Sequence, residues 1–143
     1  ELMASWQDGR IKQWLIACTL KLRRTEPRLF TEGRYVPLKV EGEHADQLIA
    51  SARELDGNWV VVIAARLASG LLGDSQAPHI PAERWGDTRV QLPDALSGNS
   101  LKRLFDGTAV TPQQAGLTAA EVLQNLPLAL LWVSISSTGE SER

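Results

Sequence analysis

Carboxylates are the commonest groups in this sequence with the chemistry for catalysis, and Asp46, Glu83, Asp87, Asp94 and Asp106 are spread over its central part. Two of them held about 5–5.5 Å apart would serve a retaining glycosyl transfer, one as nucleophile and one as acid and then base. Most stand beside Gly or Pro or in a turn context, where a short acidic side chain hydrogen-bonds the local backbone. Turn formation is therefore the expected role of each. His44 and His79 are single and far apart, without the spacing of metal ligands, and are expected at the surface. Cys18 lies among apolar residues and reads as a small core side chain rather than a nucleophile. The glycines form no phosphate-cradling pattern. These residue types predict no catalytic constellation, no metal and no cofactor site in this chain.

The five tryptophans offer a second kind of chemistry, because indole faces stack on sugar rings. Trp14, Trp59 and Trp132 lie inside apolar runs and are expected in the core. Trp6, in "SWQDG", and Trp85, in "RWGDT", have polar and glycine neighbours, so either is a candidate for an exposed sugar platform. Packing under a loop is the simpler expectation for both.

Positioning such side chains requires a folded body, and 143 residues suit one domain or one domain plus a fragment. A chain of this length buries roughly 70% of its unfolded surface without a disulfide or metal. The formal charge of −2 provides no electrostatic footprint for nucleic acid or an anionic membrane. The single cysteine excludes an intrachain disulfide and fits a reducing, cytoplasmic compartment. No apolar run reaches the ~18 residues of a membrane span, and the order of charged and apolar residues in a signal peptide is missing. The first residue is Glu1 rather than Met, which suggests excision from something longer.

The stretch "SWQDGRIKQWLIACTLKLRR" (5–24) predicts a helix. Ser5 or Asp8 can cap it, Asp8 complements its positive end, and Lys21, Arg23 and Arg24 complement its negative end. Pro27 ends it, since the residue before a proline is pushed out of the α region. Ile11, Trp14, Leu15, Cys18 and Leu22 form one stripe at helical spacing. Ile16 and Leu20 lie well off that stripe, so a second face is apolar as well and is expected to lack a partner in this chain.

Beyond Pro27 the pattern is that of a β domain. "GRYVPLKVEG" (33–42) alternates, with Pro37 arguing for a sheet edge. "NWVVVIAARL" (58–67) is a buried strand preceded by the turn pair Asp56-Gly57. Residues 68–84 read as a loop, 88–93 as a strand, and "SLKRLFDGTAV" (100–110) as a hairpin about Asp106-Gly107. "TAAEVLQNL" is a short helix capped by Thr118, "LALLWVSI" (128–135) is a last buried strand, and 136–143 is an expected disordered tail. Local spacing at Ala45, Leu48, Ile49 and Ala52 favours a helix over 44–57, whereas the succession of short strands favours a sandwich. The expected fold class is α+β: a long N-terminal helix followed by a small antiparallel β-sandwich.

Five short patterns run in order along the chain: Asp8-Gly9-Arg10-Ile11-Lys12, then Leu22-Arg23-Arg24 to Pro27-x-Leu29-Phe30, Gly33-x-Tyr35-x-Pro37-Leu38, Trp85-Gly86-Asp87-Thr88, and Leu123-x-x-Leu126-Pro127-x-Ala129-Leu130-Leu131. In these the chain resembles the C-terminal part of maltooligosyl trehalose synthases, members of the α-amylase superfamily, over about residues 6–132. Residues 68–84 fit that pattern only loosely. The resemblance implies a parent enzyme that isomerises the reducing-end α-1,4 linkage of a maltooligosaccharide to an α,α-1,1 linkage, in trehalose biosynthesis. Its catalytic carboxylates would lie upstream, on the strands of a (β/α)₈ barrel, and none transfers to a position here.

The same resemblance divides the chain. Residues 1–30 would hold the last helix of the barrel, 31–135 a C-terminal β-sandwich domain and 136–143 the tail. It favours a strand at 46–54, which we adopt. It also brings Trp6, Asp8, Arg10 and Lys12 near the substrate end, because loops before barrel helices line the catalytic face. The alternative, which we favour, is that Asp8 caps the helix while Arg10 and Lys12 are solvated or ion-paired. The expected partners are the catalytic barrel, the parent's maltooligosaccharide and, through the bare helix face, a second copy of the chain. The chain alone is expected to be inactive; a sugar-binding module and a self-associating structural domain are the alternatives.

Overall fold

A computed structural model describes residues 5–67, 69–73, 80–113 and 116–135. The expected tail at 136–143, His79 and the loop residues 74–79 lie outside them. A single 3-10 turn, Trp6–Asp8, leads into helix α1 (Arg10–Thr25). The regular helix begins only at Arg10, inside the expected span 5–24, because Gly9 sits at φ 83°, a left-handed conformation that interrupts helical pairing. Ser5 contributes its carbonyl, accepting the Asp8 N–H at 3.1 Å. Asp8 Oδ1 accepts the Arg10 N–H at 3.0 Å, which satisfies one of the donors a helix start leaves free. Glu26 leaves the α region (φ −126°, ψ 56°), as the residue before a proline is driven to do. Pro27 does more than stop α1, since it opens a short helix α2 (Pro27–Thr31) at the position where a missing N–H costs nothing.

The stretch 33–42, expected as one strand, makes two: β1 (Arg34–Pro37) and β2 (Val40–Glu41), which belong to different sheets. Pro37 ends β1 at the edge of the larger sheet, where no neighbour requires its absent N–H. The helical spacing at 44–57 is overruled. After a 3-10 turn, Ala45–Gln47, the chain extends as β3 (Leu48–Leu55) and pairs with β4 (Asn58–Ala65) over all eight residues. The two-residue turn between them has Asp56 at φ 52° and Gly57 at φ 83°, the paired left-handed geometry that an Asp-Gly hairpin supplies.

The remaining elements are short: α3 (Ser69–Leu72), β5 (Arg89–Val90), β6 (Leu101–Arg103), β7 (Ala109–Val110), β8 (Leu117–Thr118) and α4 (Ala119–Val122), before a longer last strand, β9 (Leu128–Ser134). Thr118 caps α4 as its sequence position predicts, its hydroxyl accepting the Glu121 N–H at 3.2 Å.

Two antiparallel sheets result, one of six strands in the order β1-β3-β4-β9-β6-β7 and one of three, β2-β5-β8. Strand alternation gives the six-stranded sheet two apolar faces. Leu48, Ala52, Trp59, Val61, Ile63, Ala129, Leu131 and Val133 point to one core, shared with Val90 and Leu117 of the smaller sheet. Val60 and Leu130 point the other way, into a second cluster with Leu22, Leu29 and Phe105, where α1 and α2 lie on the sheet. Helices, large sheet and small sheet thus stack in that order, and the fold class is α+β.

Candidate functional site

At the start of α1 the structure brings two of the four sequence candidates together. Arg10 Nε donates to Asp8 Oδ2 at 2.8 Å, and both side chains are about half exposed to solvent (56% and 41%). The Arg10 N–H, and then its guanidinium, hold the Asp8 carboxyl below the usual carboxylate range. A carboxylate so held stays ionised at neutral pH and cannot deliver a proton as a general acid. Lys12 is exposed and has no carboxylate within 4.0 Å among the described residues. It is two residues from Arg10, a spacing at which helical side chains do not face each other. Trp6 lies in the 3-10 turn that precedes the helix.

The other carboxylates serve turns. Asp106 Oδ1 accepts from the Thr108 N–H at 2.8 Å and the Thr108 hydroxyl at 2.6 Å. Asp87 Oδ1 accepts the Glu43 N–H at 3.0 Å, and beside it the buried Thr88 hydroxyl accepts the His44 N–H at 3.0 Å. The Trp-Gly-Asp-Thr segment is therefore a clasp on residues 43–44. Asp46, Glu83 and Asp94 stand in the first turns of 3-10 helices. Among the described residues no three His, Cys, Asp or Glu side chains gather as a metal site would need.

One aromatic expectation is met and one is corrected. Trp85 is fully buried, at 0% exposure, so its indole face is no sugar platform; its glycine neighbour reflects a tight turn over the core. Trp14, expected inside, is 36% exposed at the edge of the helix–sheet cluster, its ring tilted at 52° against Phe105 with centroids 5.9 Å apart. A shallow pocket of about 310 Å³, open mouth included, lies over Phe105, Asn125 and Leu126. Its Asp106 wall is already engaged by Thr108.

What the molecule does present is apolar surface. Ile16 and Leu20, the face without a visible partner in sequence, are 49% and 51% exposed. Sequence reasoning missed a neighbouring strip on the same side of the molecule. Tyr35, Ile49 and Val62 are exposed on the helix-bearing face of the six-stranded sheet, where α1 and α2 cover only Val60, Leu130 and their neighbours. The signal was available in the alternation of β3 and β4, which places Ile49 and Val62 on the face opposite Leu48 and Val61.

Comparison with curated proteins finds two relatives, each described as a putative maltooligosyl trehalose synthase, from two strains of Mycobacterium tuberculosis. Each is 29% identical to this chain over 117 residues, 82% of this chain. The chain spans about 13% of the length of these relatives. No family model and no solved structure matches it.

Proposed function

We propose that this chain is the non-catalytic C-terminal part of a maltooligosyl trehalose synthase. The parent enzyme isomerises the reducing-end α-1,4-glucosidic linkage of maltooligosaccharides to an α,α-1,1 linkage. The observation that carries this reading is the similarity itself, 29% over 82% of the chain but only 13% of each synthase, in line with the five motifs read from the sequence. The turn roles of Asp87 and Asp106 fit a part whose catalytic groups lie elsewhere.

In this reading α1 is the last helix of the catalytic barrel and residues 31–135 are the domain behind it. The exposed pair Ile16 and Leu20 packs on the barrel. The mutual pairing of Asp8 and Arg10 fixes the turn entering that helix instead of reaching for substrate. The test is conversion of maltopentaose by this chain, alone and mixed with the separately expressed barrel. Activity only in the mixture supports the reading. Turnover by the pure chain overturns it, and silence in the mixture counts against α1 completing the barrel. A second reading is self-association, which needs Ile16 and Leu20 together with the exposed strip at Tyr35, Ile49 and Val62 and predicts a dimer of the isolated chain in sedimentation.

A further inference from the structure

Helix α1 carries Arg10, Lys12, Lys21, Arg23 and Arg24 and no carboxylate. Lys12, Ile16, Leu20 and Arg24 form one i, i+4 row along its outward side, and Arg23 stands beside Leu20 at i+3. All five of these side chains are exposed. None of the three cations has a carboxylate within 4.0 Å among the described residues, whereas Arg10 has Asp8. Helix electrostatics explain Arg23 and Arg24, which sit at the negative end. They do not explain Lys12, which lies in the first turn, where a cation opposes the dipole. An apolar pair closed at both ends by unpaired cations is complementary to an apolar patch rimmed with carboxylates.

We propose that this row docks against such an acid-rimmed apolar patch on the polypeptide upstream of α1, a proposal that rests on the reading of the chain as a synthase C-terminus. Area decides between a tethered occupant and a free one. Stable association of separate proteins needs about 1,000 Å² or more of buried surface, which two half-exposed aliphatic side chains and their neighbours do not supply. A covalently linked body meets a smaller requirement, because tethering raises its effective concentration to the millimolar range or above. A lipid surface fits poorly. The main apolar stripe of α1 is already spent on the sheet through Leu15, Cys18 and Leu22, leaving only the narrow row to enter a bilayer.

The experiment labels Ile16→Cys and Leu20→Cys with a maleimide, read site by site by mass spectrometry, in this chain and in the full-length polypeptide that carries it. The expected result is fast labelling in the isolated chain and labelling at least about tenfold slower in the full-length protein, a ratio equivalent to 1.4 kcal/mol of docking. Adding Lys12→Glu, Arg23→Glu and Arg24→Glu together restores fast labelling in the full-length protein, while circular dichroism of the isolated variant stays unchanged. Equal rates in both contexts overturn the proposal. So does protection that the charge reversals leave intact, or protection of the isolated chain that grows with its concentration or with added phosphatidylserine vesicles. Maltopentaose conversion by the full-length protein is scored separately, so loss of the synthase reading and loss of the docking surface give different results.

Discussion

The Asp8 carboxylate accepts from the main chain and the side chain of a single residue, Arg10, and this decides both its protonation and its use. The backbone N–H is the larger influence, with the guanidinium adding to it. Carboxyl carbon NMR should therefore show Asp8 titrating below the ordinary carboxylate midpoint, and Arg10→Gln should raise that midpoint only part of the way, because the N–H remains. A full return to the ordinary value would assign the effect to the guanidinium instead. Linkage sets the sign for stability. The folded-state value lies below the unfolded one, so the stabilisation is complete above the ordinary Asp range near pH 3.9 and is lost as pH falls through the folded value. Trp14 makes a different point at this scale, since its apolar neighbours suggested the core while its side chain is 36% exposed.

Among the elements, α1 shows how one helix divides its faces. Leu22 is 8% exposed in the helix–sheet cluster, and Leu20, two residues away, is 51% exposed. Urea denaturation of the isolated chain should show Leu22→Ala destabilising by about 2–5 kcal/mol, the range for a buried leucine. Leu20→Ala should change stability by less than about 0.5 kcal/mol, as surface substitutions do. Similar costs at the two positions would mean that Leu20 is covered in solution. Strand β3 teaches the complementary lesson: hydrogen bonding to β1 and β4 on both edges outweighs a weak helical periodicity.

For the whole molecule, the decisive feature is that the six-stranded sheet is apolar on both faces. The smaller sheet and α4 close one side, whereas α1 and α2 close only part of the other. Removing residues 1–31 would uncover Val60, Leu130 and Phe105 and add them to the open strip at Ile49 and Val62. The truncated chain should bind a hydrophobic dye strongly and aggregate, while the full chain does so weakly. A truncated chain as soluble and as cooperative in unfolding as the parent would show residues 32–135 to be independent of the helices. No helix among the described residues is long and apolar enough to cross a membrane.

Local chemistry made much of this legible in the sequence. Asp56-Gly57 and Asp106-Gly107 announce their hairpins through backbone preference, Thr118 its cap, and Pro37 its edge, each through an interaction within a few residues. The burial of Ile11 and Leu22 and the exposure of Ile16 and Leu20 followed from periodicity alone. Four things did not: the division of 33–42 between two sheets, the second helix opened at Pro27, the exposure of Trp14 and the open strip at Tyr35, Ile49 and Val62. Sheet membership and burial depend on partners distant in sequence, such as β5 for β2 and the 43–44 segment for the turn after Trp85. Residue types and spacing therefore determined where the hairpin turns, the α4 cap and α1 form. Only tertiary packing decided which faces they hide, because burial is settled by what the rest of the chain brings against each face.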